Sequence, residues 1–205
     1  IARGQEIDLW KTDEIMNLNY EKRDGTKLTP SLVLVDSGDQ TDMVYNFCAD
    51  TSEYTLPSKG ASNKLETAYK FSTINKPGSK AAGMNLVIVD TAKYKDRIAA
   101  RMRRQNGNGA WMVFKGIDDE YAAQVTSEHK INERQANGIP VQKWVLKNSH
   151  GDNHYLDAEV YAMAAADIRG ARTWHLEKYE PPAHKQSPLS QEEQWITENE
   201  LEGWK

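Results

Sequence analysis

Three carboxylates stand where apolar runs end or helical patterns begin. Asp36 follows Val33-Leu34-Val35, Asp90 follows Leu86-Val87-Ile88-Val89, and Asp157 opens the pattern that continues through Val160. A basic segment accompanies them: between Lys59 and Arg104, eleven basic residues stand against Glu66, Asp90 and Asp96, a local net charge of +8. Carboxylate oxygens are hard ligands that suit Mg²⁺ or Mn²⁺. Two such ions about 4 Å apart can activate a water and stabilise the leaving oxygen of a phosphodiester. A basic surface suits a polyanion such as nucleic acid. Each group also has a plainer use. Asp36 could cap a following helix or start a turn, the helix dipole favours Asp157 in a first turn, and the lysines could be an ordinary solvated face. Residue types alone leave both uses open.

Other chemistries lack their residues. There is no G-x-x-x-x-G-K-[ST] phosphate loop, no G-x-S-x-G and no H-E-x-x-H. The histidines at 129, 150, 154, 175 and 184 are scattered without ligand spacing. The lone Cys48 excludes an internal disulfide framework and a Cys-rich zinc site, and its helical surroundings predict a small core residue.

The elements that must position the acids follow from periodicity. Ser31 to Val35 reads as a central strand buried on both faces, ending on Asp36-Ser37-Gly38 at the carboxyl edge where open α/β sheets place ligands. Gln40 to Cys48 then predicts a helix capped by Asp39, and Tyr54 to Leu56 a short strand. Ala61 to Gly83, rich in Ser, Asn, Gly and Lys, reads as a long exposed loop. Met84 to Val89 is a second buried strand. It leads through Asp90 into a helix over 92–105, with Tyr94, Ile98, Ala99 and Met102 inward and Lys93, Lys95, Arg97, Arg101, Arg103 and Arg104 outward. The repeated strand–acid–helix unit predicts parallel strands with crossover helices. Further along come a strand at 110–114, a short helix over 118–128, and a β-hairpin about Asn137-Gly138 with Pro140 on an edge arm. The 155–168 helix, with Leu156, Val160, Met163 and Ala164 in one stripe, is the clearest in the chain. Upstream, Ile7 to Tyr20 has a helical pattern and Asp24-Gly25 a turn.

At 205 residues the chain predicts one domain with an appendage. The expected division is a domain over 1–172 and an acidic linker with a short helix over 173–205. In the latter, seven Glu from Glu177 to Glu202 oppose Lys178 and Lys185. No apolar run approaches the roughly 18 residues of a membrane span, so a cytoplasmic protein without a membrane partner is expected. The chain opens on Ile1 and has no methionine before Met16, which suggests a piece of something longer.

The order of several segments resembles the nuclease domain of large terminase subunits of tailed phages, the lambda-type branch. The segments are Val35-Asp36-Ser37-Gly38, Thr41 to Cys48, Lys59-Gly60, Val89-Asp90-Thr91-Ala92-Lys93, Gln124 to Glu128, and Asn153-His154-Tyr155-Leu156-Asp157 running into Val160 to Ala165. The resemblance covers about residues 4–168. It implies an RNase H-like fold: a mixed sheet flanked by helices, here with a β-hairpin and an acidic C-terminal appendage. It also implies a two-metal endonuclease, using Mg²⁺ or Mn²⁺, that cuts concatemeric viral DNA at packaging in the cytoplasm of the infected host. The family's second acid falls on Asp36 and its last on Asp157, the expected catalytic and metal-holding pair. Asp90 and Lys93 match a motif expected to serve structure or DNA contact, and Lys59 is expected near the scissile phosphate. His154 stands where the family usually has Glu, which puts that position in question. The double-stranded DNA substrate would meet Lys93, Arg97, Arg101, Arg103 and Arg104. The family's first catalytic Asp and its ATPase motor are expected upstream of Ile1, as the rest of the large subunit, with the small subunit and portal as further partners. The alternative expectation is a non-catalytic DNA-binding or assembly module that needs an upstream chain to complete its site.

Overall fold

The computed structural model describes residues 20–22, 24–107, 109–113, 116–134 and 138–171. The chain divides into two units at 172/173. The second unit, with the expected acidic appendage, lies outside the described residues, as does the helix expected over Ile7 to Tyr20 except for its last residue.

Tyr20 instead begins a two-residue strand, β1 (Tyr20–Glu21), which pairs antiparallel with β2 (Lys27–Leu28) around the Asp24-Gly25 turn. The main sheet follows, with β3 (Val33–Asp36), α1 (Thr41–Asp50), β4 (Thr55–Gly60), β5 (Tyr69–Thr73), β6 (Asn85–Val89) and α2 (Thr91–Met102). Its order is β3-β4-β6-β5, parallel except for β5, which runs antiparallel along β6. The chain continues into α3 (Asp119–Val125), the two-stranded hairpin β7 (Glu128–Arg134) and β8 (Pro140–Leu146), and α4 (His154–Ile168). This is an α/β fold with a mixed sheet flanked by helices.

Alternation along the strands sorts the core onto two faces. Leu34, Leu56, Val87 and Val89 meet Tyr94 and Ile98 of α2 and Leu156, Val160 and Ala164 of α4. Val35 meets Val44, Phe47 and the fully buried Cys48 of α1. Burying side chains of this size contributes roughly 1.5–3 kcal/mol each. The two helices of the first face are also tied by polar groups. Tyr94 Oη donates to Asp167 at 3.0 Å, and Arg97 Nη1 lies 2.6 Å from the same carboxylate.

Five elements differ from the sequence expectation, each for a physical reason. Among the described residues β3 is paired on one side only and is half-exposed rather than doubly buried. β4 runs past Pro57 to Gly60, because its ladder with β6 begins only at Ser58. Pro57 therefore sits where one neighbour is present, and its missing N–H deprives no second partner. The expected 61–83 loop contains β5, an edge strand whose mostly exposed residues carry no apolar run. Ala110 to Val113 forms no strand, since Trp111 N–H bonds the Arg101 carbonyl of α2 instead. Finally, α1 is capped at Gln40, which takes a left-handed conformation, while Asp39 Oδ1 accepts from Gln40 N–H.

Candidate functional site

Asp36 is the last residue of β3, in register with Ser58 of β4. The end of this strand is pinned: Ser37 N–H and Ser37 Oγ each donate to the Ser58 carbonyl at 2.8 Å. The chain then turns, and Gly38 N–H donates to Asp36 Oδ1 at 2.9 Å. A Cβ at position 38 would stand 3.2 Å from that oxygen, so glycine leaves room for the carboxylate. Asp36 itself remains exposed. Tyr161 of α4 lies beside it and beside Gly60. Burial, then the charges of Asp36 and Asp157, push the Tyr161 phenol well above its usual range. Tyr161 therefore stays protonated and remains a donor.

Asp157 lies in the first turn of α4, one turn ahead of Tyr161. Burial raises its carboxyl above the usual aspartate value; Lys95 opposes the rise, and the charges of Glu128 and Asp36 add to it. Asp36 and Asp157 thus share one electrostatic neighbourhood, although they come from distant parts of the chain. Lys95 Nζ lies 3.1 Å from Asp157 Oδ1 and 2.7 Å from Glu128 Oε1. Asn153 Nδ2 also donates to Glu128 Oε1, at 2.7 Å. Three carboxylates against one ammonium make the site electronegative. Among the described residues, no group of three or more His, Cys, Asp or Glu side chains closes on one metal position.

The other expected site residues are engaged in different ways. Asp90 is 5% exposed. It caps α2 by accepting Lys93 N–H at 3.2 Å, and it holds Leu65 N–H at 3.1 Å. Lys93 of α2 reaches the same loop, donating Nζ to the carbonyls of Leu65, Glu66 and Thr67. Arg97 is paired with Asp167 and stacks 5.0 Å over the Tyr94 ring. These three residues secure the 65–67 loop and the α2–α4 packing. Arg101, Arg103 and Arg104 are exposed at the end of α2, and Lys59 is exposed on β4. His154 opens α4, with Nε2 3.4 Å from Asp152 Oδ1.

Three site residues escaped sequence reasoning. Lys95, expected on the outer face of α2, is buried at 8% exposure. The signal was available: it precedes Ile98 by three residues, which puts it beside the apolar stripe. Glu128 was an acid at a helix–strand boundary, like the three that were singled out. Tyr161 follows Asp157 by one helical turn and so shares its face.

Residues 3–177 match the family model described as terminase large subunit gpA, endonuclease domain. No curated protein and no solved structure matches the chain.

Proposed function

The chain belongs to the terminase large subunit gpA endonuclease-domain family, and from that premise we propose that Asp36 and Asp157 hold divalent ions for hydrolysis of concatemeric viral DNA. The observation that carries this reading is that α4, with Asp157 in its first turn, packs against β3, which ends on Asp36, so that the charge of Asp36 acts on Asp157. Oxygen donors from Asp36 and Asp157 suit Mg²⁺ or Mn²⁺ in kind. Such ions, when bound, would supply an activated water and charge for the leaving oxygen. The chain's own residues do the positioning. Gly38 N–H fixes the orientation of the Asp36 carboxylate, and Lys95 draws Asp157 toward Glu128. Exposed Arg101, Arg103, Arg104 and Lys59 would meet phosphates of the duplex. The parallel β3-β4-β6 core, with α4 packed against β3, is compatible with an RNase H-like arrangement. The test is plasmid nicking in Mn²⁺. Asp36→Ala and Asp157→Ala should each abolish it while circular dichroism stays unchanged; a fully active variant would refute the assignment.

A second reading is favoured by two observations. Among the described residues β3 has an open side, and the acids do not close on a single ion. A further strand paired to β3 that carries the first acid implied by the resemblance would complete the site beside Asp36, and without it this chain would serve as a DNA-binding or assembly module. The rest of the large subunit is the natural source. Nicking by Ile1–Lys205 alone, compared with nicking after an upstream segment is fused or added, separates the two readings.

A further inference from the structure

Lys95 bridges two carboxylates as a cation would. Its ammonium lies 2.7 Å from Glu128 Oε1 and 3.1 Å from Asp157 Oδ1, and its side chain is 10% exposed. Taking an ammonium and a carboxylate out of water is costly unless the pair is well satisfied. Glu128 is not fully satisfied. Its side chain is 5% exposed, and Oε1 takes both Lys95 and Asn153, while Oε2 is buried with no hydrogen-bond partner. Asn153 sits at the N-cap of α4, yet its side chain makes no cap bond and goes to Glu128 instead. A cap forgone and a carboxylate oxygen left over both cost stability, so a purely structural bridge is a poor account of them.

The geometry points to Lys95 as a resident cation that holds Glu128 and Asp157 together and competes with the divalent ion for them, Glu128 being the ligand the ion gains when the ammonium leaves. This rests on the reading above that Asp157 helps hold the ion. An ammonium on a flexible four-carbon stem can vacate such a seat, and room is at hand. A cleft of about 520 Å³ between α2 and the hairpin is lined by Lys95 and Glu128 together with Asp96, Lys130 and Trp144. When Lys95 turns out into this cleft, Glu128 keeps Asn153 on Oε1 and has Oε2 free for the ion. Two positive charges within a few ångströms of one carboxylate repel, so removing the ammonium strengthens ion binding.

The experiment measures Mn²⁺ binding by the fall in the free-Mn²⁺ EPR signal, and thermal stability in EDTA, on the full chain. Lys95→Met should bind Mn²⁺ at least about tenfold tighter than wild type. It should melt lower in EDTA and gain more from added Mn²⁺. Lys95→Met with Glu128→Gln should lose the gain in affinity and recover the melting temperature, and Lys95→Gln serves in place of Lys95→Met if the latter does not fold. Lys95→Met binding Mn²⁺ no tighter than wild type would overturn the inference, as would a double variant that keeps the gain. Asp157→Asn separates the two levels. If it weakens Mn²⁺ binding while Lys95→Met changes nothing, only the role of Lys95 fails. If it leaves binding untouched, the reading of the ion site fails as well.

Discussion

The chain builds the same unit twice, a parallel strand ending on aspartate and then a helix, and uses the two acids in opposite ways. At the end of β3, Asp36 is exposed, takes one backbone N–H from Gly38, and has Tyr161 of α4 beside it. At the end of β6, Asp90 is buried, and both of its oxygens are spent on backbone donors, Lys93 N–H in its own helix and Leu65 N–H in a loop. The difference lies in the residues just after each acid. After Asp36 a turn of Ser37 and Gly38 precedes α1, so Gln40 rather than Asp36 takes the N-cap position. After Asp90 the helix starts at once, and the acid becomes the cap. A strand-end carboxylate is open to a ligand when the helix begins late enough to release it.

The largest effect should come from deleting the open acid. In a preparation that nicks plasmid DNA in Mn²⁺, Asp36→Ala should lower the rate by at least about two orders of magnitude and leave urea unfolding nearly unchanged. Asp90→Ala should do the reverse. Losing a helix cap and leaving Leu65 N–H unpartnered costs about 1–3 kcal/mol, seen as a lower urea midpoint, with activity falling only as the folded fraction falls. If Asp90→Ala kept full stability and lost the rate, the contrast between the two units would be broken.

The helices after the two acids also differ in charge. α2 carries Arg101 in its last turn and Arg103 and Arg104 just beyond it, whereas α1 has no basic residue in its last turn. Replacing the three arginines by alanine should weaken binding to all duplex sequences alike. It should also reduce the slope of log K against log salt by up to about 3, near one unit for each phosphate no longer neutralised. An unchanged slope would move the DNA surface elsewhere.

A smaller effect tests the turn. Gly38→Ala places a Cβ 3.2 Å from Asp36 Oδ1, so the carboxylate or the turn must shift, and the nicking rate should fall about tenfold, the size expected when a supporting group is displaced. Gly60→Ala meets only the Thr91 methyl, at 3.4 Å, and should be milder; equal losses would argue against a special role for the turn.

The smallest effect concerns Asp157 in EDTA. Its carboxyl is raised in the fold, burial leading, even with Lys95 pulling the other way. A raised acid binds its proton more readily folded than unfolded, so its contribution to stability is fully present below the ordinary aspartate value and is lost as pH rises through the folded one. Asp157→Asn, which cannot ionise, should therefore melt above wild type at pH 7 and converge with it near pH 3. A variant less stable at pH 7 would mean that the Lys95 ion pair outweighs the burial of the charge.

Local pattern alone was enough for much of the fold. The β-branched runs before Asp36 and Asp90, the alanine-rich stripe of α4, the hairpin about Gly138 and the burial of Cys48 all stem from short-range periodicity, because one buried face per element dictates which residues must be apolar. The exposed edge strand β5 carries no such face, and its pattern is silent. Asp36 and Asp157 were legible as acids at element ends, but so was Asp90; the Ser37-Gly38 turn frees Asp36 from the cap position that Asp90 takes, yet the partners that fix each role are not local. That distinction came from partners far away in the chain: Leu65 for Asp90, Tyr161 for Asp36, Lys95 for Asp157. Lys95 and Glu128 became a pair only because α2 and the start of β7 were brought side by side. The sequence determined which segments are strands and helices and which acids stand at their ends, since those depend on neighbours in the chain. The tertiary structure decided which of those acids stay available, since a carboxylate's hydrogen bonds, burial and charge environment are set by whatever folding places against it.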